Sequence, residues 1–364
     1  MGCEPAGVDF ALVGHPESWS QVQRLMDGLR DPGLPPLSRE DLREIVPWIP
    51  ARTVERFTIA SATSGRSARG IYVETFLPPE ELGTGHFKAN LARVDAALSC
   101  AAREGARIAS LGGFTSILLE VARRGPETSD GLVLTTGNTL TASFIVRGVE
   151  RAASRSRLDL SCATLLVIGS TGDLGSACTE YFAPRVRRLS LWARREAPLV
   201  AQVDAHAGNG VEVHASTDPA ELLPQADVII AVASLAGPGL ELDRCKPGAL
   251  VCDAGYPKNL AIDPERADVH VFWGGMGQAR EGWENDSPLG DLFYRFPAPA
   301  VAHGCMLEGM VLGLEGRVEA YSWGRGNITP ERMAELEGLA RRHGIVPAPL
   351  FNQAGLWPGE PTVA

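Results

Sequence analysis

The stretch ATLLVIGSTGDLGSA, residues 163 to 177, runs an apolar strand into a helix through a turn punctuated by Gly169, Gly172 and Gly175. The spacing is GxxGxxG, not the GxGxxG of the standard dinucleotide fingerprint. The physics is the same. Glycine lets the backbone turn sharply and approach a pyrophosphate, while the new helix aims its free N–H groups and the positive end of its dipole at the phosphates. Residues Gly169, Ser170, Thr171, Gly172, Asp173, Leu174 and Gly175 are therefore the expected phosphate cradle.

The strand after the loop selects the dinucleotide. An NAD-binding strand usually ends in Asp or Glu, which holds the ribose 2′-hydroxyl. Here RLSLWA ends at Ala193 and runs into Arg194 and Arg195. Two guanidinium groups suit a 2′-phosphate, so NADPH is the expected cofactor. Two later strand ends add candidates. AVASLAG places Ala233 and Ser234 near the cofactor, and DAGYPKN offers Tyr256 and Lys258 as proton donors or oxyanion partners. The letters Gly-Tyr-Pro-Lys-Asn also make an ordinary turn, and both readings stay open.

Around this unit the chain alternates strand and helix throughout. VERFTIA and GIYVETF read as strands, and HFKANLARVDAALSCAAREG as a helix closed by Gly105. ARIASLGGF and GLVLTTGNT each run from a strand into a glycine turn that opens a helix. The fold class is α/β: an N-terminal α/β substrate domain (1–155), a doubly wound parallel-sheet Rossmann domain (156–296), and C-terminal helices (297–364) closing the cleft. Strands are expected at RLSLWA, VEVHAS, ADVIIAVAS, GALVCDAG and VHVFWGG. The closing helix starts at Thr329-Pro330 and ends at Gly344, and the last residues are expected to be irregular.

Composition excludes several classes. Net charge is −10 and only Lys88, Lys246 and Lys258 are lysines, which disfavours nucleic acid. The seven cysteines are scattered with no CxxC pair, so no metal site is expected, and free thiols fit a cytoplasmic setting. No apolar run is long enough to span a bilayer. One cysteine, Cys305 in AHGCMLEGM, lies on a helical apolar run, where a packed core sulfur is the commoner outcome.

In order, LVGH, GIYVETFLPPE, SLGGFTSI, TTGNTLTA, VIGSTGDLGSA, DAGYPKNL, ADVHVFWGG and SWGRGNIT span residues 12 to 329. Together they resemble the long-chain fatty acyl-(acyl carrier protein) reductase family of cyanobacteria. The resemblance implies NADPH-dependent reduction of an acyl thioester on acyl carrier protein, or on CoA, to a free aldehyde. It implies a nucleophilic cysteine after a Pro-Ala segment with Glu three residues on. That pattern matches Cys305, after Pro299-Ala300 and before Glu308. The implied partners are acyl carrier protein, a fatty or polyketide acyl chain, and an aldehyde-consuming enzyme.

A thiol on the first turns of a helix is expected to have a lowered pKa from the dipole. Thr136, Asn138 and Ser116, on the N-terminal glycine turns, are candidate substrate contacts, although Asn138 also reads as a helix cap. His15 reads as a structural hydrogen-bonding residue, and His303 is not expected to be the base, because i and i+2 do not share a helix face. Arg52, Arg56, Arg66 and Arg69 are a candidate basic patch for an acidic carrier. The alternatives are a dehydrogenase of the shikimate or amino-acid type, acting on a small ketone or imine without a covalent step, and a non-catalytic NADPH-binding partner.

Overall fold

The structure, a computed structural model, describes residues 7–82, 84–208, 210–233, 242–256, 258, 260, 266–286 and 296–360. The chain divides into two compact units, and neither is one continuous stretch. The first comprises Met1–Gly137, Ala279–Trp323 and Leu339–Ile345; the second comprises Asn138–Gln278, Gly324–Gly338 and Val346–Ala364.

The first unit is built on strands β1 (Phe10–Gly14), β2 (Arg52–Ala60), β3 (Ser67–Glu74), β4 (Ile108–Leu111) and β5 (Val133–Thr135). β3, β1, β4 and β5 lie side by side in parallel; β2 pairs antiparallel with β3, and the short strand Trp283–Asn285 pairs antiparallel with β2. Alternation along the strands sends side chains to two faces. Ala11, Val13, Ile71, Val73, Ala109 and Leu111 pack with Val94, Ala97, Leu98 and Leu118 of the helices Phe87–Arg103 and Phe114–Val121. The opposite face receives the helix Gly304–Glu315. A Cβ at Gly309 would meet Leu12 and Ser110 at 2.8 Å, and one at Gly313 would meet Phe10 at 2.4 Å. Two missing side chains thus let this helix lie close on β1 and β4, with its N-terminus at the C-terminal edge of the sheet.

The second unit holds β6 (Thr164–Ile168), β7 (Arg188–Trp192), β8 (Glu212–Ser216), β9 (Val228–Ala231), β10 (Leu250–Asp253) and β11 (His270–Trp273). The order β11-β10-β9-β6-β7-β8 is parallel throughout, which is the doubly wound Rossmann arrangement. One face packs on the helices Asn138–Arg155 and Asp173–Phe182 through Ile145, Val149, Ala177 and Phe182. The other face carries Leu166, Ile168, Ile229 and Val251 with Leu222, Leu223 and Leu242. Both faces are covered, as fully apolar parallel strands require.

Two boundaries differ from the sequence reading. The first junction falls at 137/138, not 155/156. The helix Asn138–Arg155 buries Ala142, Ile145, Val146, Val149 and Ala152 in the core of the second unit, so it belongs there. The stretch 297–364 is no segment of its own. The cysteine helix joins the first unit and the last residues join the second, where Phe351–Asn352 pairs with Gly355–Leu356 instead of being irregular. The helix opened by the LGG turn ends at Val121, and Arg123 takes a positive φ of 55°.

Candidate active site

Cys305 is the second residue of the helix Gly304–Glu315 and is partly exposed. Glycine turns at the ends of β4 and β5 hold it. A Cβ at Gly137 would stand 2.3 Å from Cys305 Cα, and its φ of 71° is left-handed, so only glycine fits. A Cβ at Gly112 would lie 3.9 Å from Cys305 Sγ. Ser110 Oγ donates to the Cys305 carbonyl at 2.5 Å. The amides of Met306, Gly113 and Cys305 itself donate to the sulfur. Burial nevertheless pushes the thiol up to about 11, with Glu308 adding in the same direction and the amides opposing. The lowered value expected from the helix N-terminus is therefore not reached, because desolvation of the thiolate outweighs the N–H donors. Among the other described thiols, Cys178, Cys245 and Cys252 are buried and also pushed up by burial. Cys305 combines partial exposure with amides aimed at the sulfur.

Glu308, one helical turn on, is fully buried. Thr135 Oγ1 donates to its Oε1 at 2.5 Å, and Ser322 Oγ lies 2.7 and 2.8 Å from its two oxygens. The Ser322 amide donates to Thr135 Oγ1 at 3.0 Å, and Thr136 Oγ1 donates to the Ser322 carbonyl at 3.0 Å. Glu308 thus ties the cysteine helix to the β5 turn. Sequence reasoning had no account of Ser110, Thr135 or Ser322; a glutamate inside the apolar run GCMLEGMVLGLEG was the one available signal.

The structure places the sequence-predicted residues of this unit as follows. Ser116 Oγ donates to the Gly113 carbonyl at 3.2 Å and Thr136 reaches Ser322, so both hydroxyls hold the turns around Cys305. His15 accepts the Phe114 amide on Nε2 at 2.9 Å and sets Nδ1 3.0 Å from the Pro16 carbonyl, which fixes the neutral tautomer protonated on Nδ1. Burial lowers its pKa to about 4. His303 is the N-cap residue and directs Nε2 to Glu17 at 2.9 Å. The four arginines do not form one patch. Arg52 pairs in register with Glu74 at one end of the β2–β3 hairpin, Arg66 stands at the other, and Arg56 and Arg66 are ion-paired with Glu104 and Glu315.

Asn138, the glycine loop, Arg194, Arg195, Tyr256 and Lys258 all lie in the second unit. Gly169 and Ser170 donate their amides to the Trp192 carbonyl at 2.9 and 3.0 Å, which clips the loop to the tip of β7. A Cβ at Gly169 would meet Ala233 at 2.9 Å, and one at Gly175 would meet the Gly169 carbonyl at 2.1 Å. Gly172 has more room and is exposed. Ser170 Oγ is buried without a protein partner, while Gln202 Nε2 and Ser176 Oγ hold the Ser170 carbonyl. The loop lies between β6 and β9, where the strand order reverses. A tight first glycine, an open middle one and a close-packed third fit a pyrophosphate. Burial raises the pKa of Asp173, with Arg325 opposing. Ala193 is buried and Arg194 and Arg195 are exposed at the β7 tip. Asn138 opens its helix. Lys258 Nζ donates to the Asp253 carbonyl at 3.2 Å and sits 5.5 Å from the Trp273 ring centroid. Tyr256 is half-buried beside it, and Ser234 lies outside the described residues. Among the described residues no helix is long and apolar enough to cross a membrane.

These features define an α/β oxidoreductase: one doubly wound unit with a glycine loop at its switch point, and a second α/β unit presenting a thiol on a helix N-terminus. Comparison with known proteins gives the family. The chain is 34% identical over 364 aligned residues to the long-chain acyl-[acyl-carrier-protein] reductase of Synechococcus elongatus, covering 94% of this chain and 99% of that one. The chain belongs to this reductase family. It is also 27% identical to the aminotransferase PigE of a Serratia species over 84% of its length, although it spans only 36% of that protein. Among solved structures, the glutamyl-tRNA reductase of Methanopyrus kandleri is similar at 19% identity and a TM-score of 0.31, over 71% of this chain and 58% of that one. So loose a likeness says nothing of function. No family model matches the chain.

Proposed function

We propose that the protein reduces an acyl thioester carried on acyl carrier protein, or on CoA, to a free aldehyde, with NADPH as reductant and Cys305 as the acyl acceptor. The observation that carries the reading is 34% identity, over 94% of this chain, to an acyl-carrier-protein reductase, together with a helix N-terminal thiol to which backbone amides donate. Bound NADPH supplies the hydride. Its phosphates suit the loop Gly169–Gly175, and its 2′-phosphate suits Arg194 and Arg195.

The remaining work falls to the chain itself. With the thiol pushed up to about 11, the proton must leave Sγ as the sulfur attacks, not beforehand. The amides of Gly113 and Met306, which donate to the resting sulfur, are the proposed donors to the oxyanion formed as the sulfur adds to the carbonyl. The carrier thiol departs with the proton given up by Cys305, and the acyl group stays on Sγ. Hydride delivery to the acyl carbon gives a thiohemiacetal, which collapses to aldehyde and free Cys305. Ser116 and Thr136 act by holding the two turns. Tyr256, Lys258 and Asn138 remain proposed contacts, as does Ser234. A free aldehyde is reactive toward amines, so a consuming enzyme is the proposed downstream partner.

The test is incubation with acyl carrier protein thioesters of varied chains, first without NADPH. Intact mass is expected to show an acyl adduct on the native protein and none on Cys305→Ala. NADPH is then expected to discharge the adduct as aldehyde. Reduction by Cys305→Ala at the native rate would sink the covalent reading and favour a dehydrogenase without an acyl-enzyme.

A further inference from the structure

Reduction of the acyl-enzyme leaves a proton to be found. When the thiohemiacetal collapses, the sulfur leaves as thiolate, and in a site that holds this thiol protonated at neutral pH it must recover a proton before the next turnover. His15 is neutral, its Nε2 accepting a backbone amide, and His303 points Nε2 at Glu17.

Another pair lies on the same face of the same sheet. Tyr72 and Glu74 are two apart on β3, and their register partners on β1 are Leu12 and Gly14. The cysteine helix packs on this face against Phe10, Leu12 and Ser110. The Tyr72 hydroxyl presses on Gly14, since a Cβ there would stand 2.3 Å from its oxygen. The other side of Gly14 meets Gly112. A Cβ on Gly112 would lie 3.7 Å from Gly14 Cα and 3.9 Å from Cys305 Sγ. The Tyr72 hydroxyl and the Cys305 sulfur therefore flank two adjoining positions that carry no side chain. Behind Tyr72, Glu74 is completely buried, with its Oε2 3.3 Å from the Tyr72 oxygen and its Oε1 accepting the Phe76 amide at 2.9 Å. Phe76 is held at a positive φ of 52°, an uncommon state for a large side chain, and Arg93 grips the Thr75 and Phe76 carbonyls at 3.3 and 3.2 Å.

We infer that Tyr72 and Glu74 form the proton source that returns the Cys305 sulfur to thiol as the aldehyde leaves. The inference rests on the covalent reading above. Burial raises the Glu74 carboxyl to about 8, against the pull of the Phe76, Tyr72 and Thr75 donors, so it holds a proton at neutral pH. A protonated carboxyl donates to the Tyr72 oxygen, which turns the phenol's own proton outward. The phenol passes that proton, through a water in the space left by Gly14 and Gly112, to the sulfur as the C–S bond breaks, the carboxyl reprotonates the phenol, and Glu74 recovers its proton from solvent. One proton is consumed, as aldehyde formation requires. The charged groups set beside Glu74 are Arg52, its register partner on β2, and Arg93 of the helix Phe87–Arg103, held on the Thr75 and Phe76 carbonyls.

The experiment separates acylation from discharge. Native protein, Glu74→Gln and Tyr72→Phe are first acylated from an acyl carrier protein thioester without NADPH and followed by intact mass. They are then mixed with NADPH between pH 6 and 9.5, and aldehyde release is timed. Adduct formation is expected within threefold of native in both variants, which also shows that they fold. Discharge is expected to be at least tenfold slower in both. The native rate should hold up to about pH 8 and fall above it, because the protonated carboxyl is the active form, and Glu74→Gln should lose that break. Discharge at the native rate with the break retained overturns the proposal. So does equal loss of adduct and discharge in both variants, which would make the pair structural. A native protein that never forms the adduct fails the covalent reading itself.

Discussion

His15 shows how one buried side chain sets a pH limit. Its ring is neutral in the fold because burial lowers its pKa from 6.5 to about 4. Below pH 6.5 the unfolded chain takes a proton that the native ring refuses. Its contribution to stability is therefore complete above pH 6.5 and is lost as pH falls toward 4. The loss by pH 5 is about 2 kcal/mol. In urea unfolding, His15→Asn is expected to lose less stability than the native protein between pH 7 and pH 5. An equal loss in both would assign the acid sensitivity elsewhere. Arg194 and Arg195 carry a second residue-level expectation. Exposed guanidinium groups at the β7 tip gain most when a phosphate docks between them. In the double alanine variant, the Kd for NADPH by fluorescence titration should rise at least tenfold, and the Kd for NADH should change little. Equal weakening of both would remove the 2′-phosphate assignment.

At the scale of elements, the turn after β5 and the cysteine helix form one piece, joined at Gly137. Adding a methyl there drives Cβ to 2.3 Å from Cys305 Cα at a φ that suits only glycine. Gly137→Ala is expected to cost roughly 2–4 kcal/mol and to shift the sulfur off its amides. Thermal unfolding should show a lowered Tm, and intact mass should show adduct formation slowed at least a hundredfold. Retained acylation would mean that the turn supports the helix without positioning the thiol. Such coupling explains what could be read in the sequence. The glycine loop, the Rossmann strands and the helix ending at Gly105 were legible because their signals are local: period-two or helical apolar spacing bounded by glycine. The helix Arg39–Ile45 was missed, although Ser38 and Asp41 form a capping box. The surroundings of Cys305 were legible only in part: the turns bearing Ser116 and Thr136 were expected at the site, but as substrate contacts and not as its frame. Ser110, Gly112, Gly137 and Ser322 meet it or Glu308 only through folding, and no periodicity links positions so far apart. The turns LGG and TTG announced themselves as turns; that they close on a cysteine did not follow from their letters.

For the molecule as a whole, the consequence is that the chain must be nearly complete before its first unit can finish. The sheet β3-β1-β4-β5 is encoded by the first 137 residues, but the helix that covers its Phe10, Leu12 and Ser110 face arrives after residue 303. Phe10 and Leu12 are at most 1% exposed under that cover. Burying two such side chains stabilises the fold by roughly 3–6 kcal/mol, most of what a marginal domain has to spare. Glu308 adds a second lock, since Thr135 at the end of β5 finds its acceptor on the late helix. A fragment of residues 1–137 is therefore expected to lack a cooperative thermal transition and to bind a hydrophobic dye. The same fragment joined by a flexible linker to residues 279–345, which supply the cysteine helix and Ser322, should regain a sharp transition in circular dichroism. It should also protect Cys305 from rapid alkylation. A sharp transition in the short fragment alone would show that β1 to β5 carry a sufficient core, and that the late helix is an addition to a finished domain.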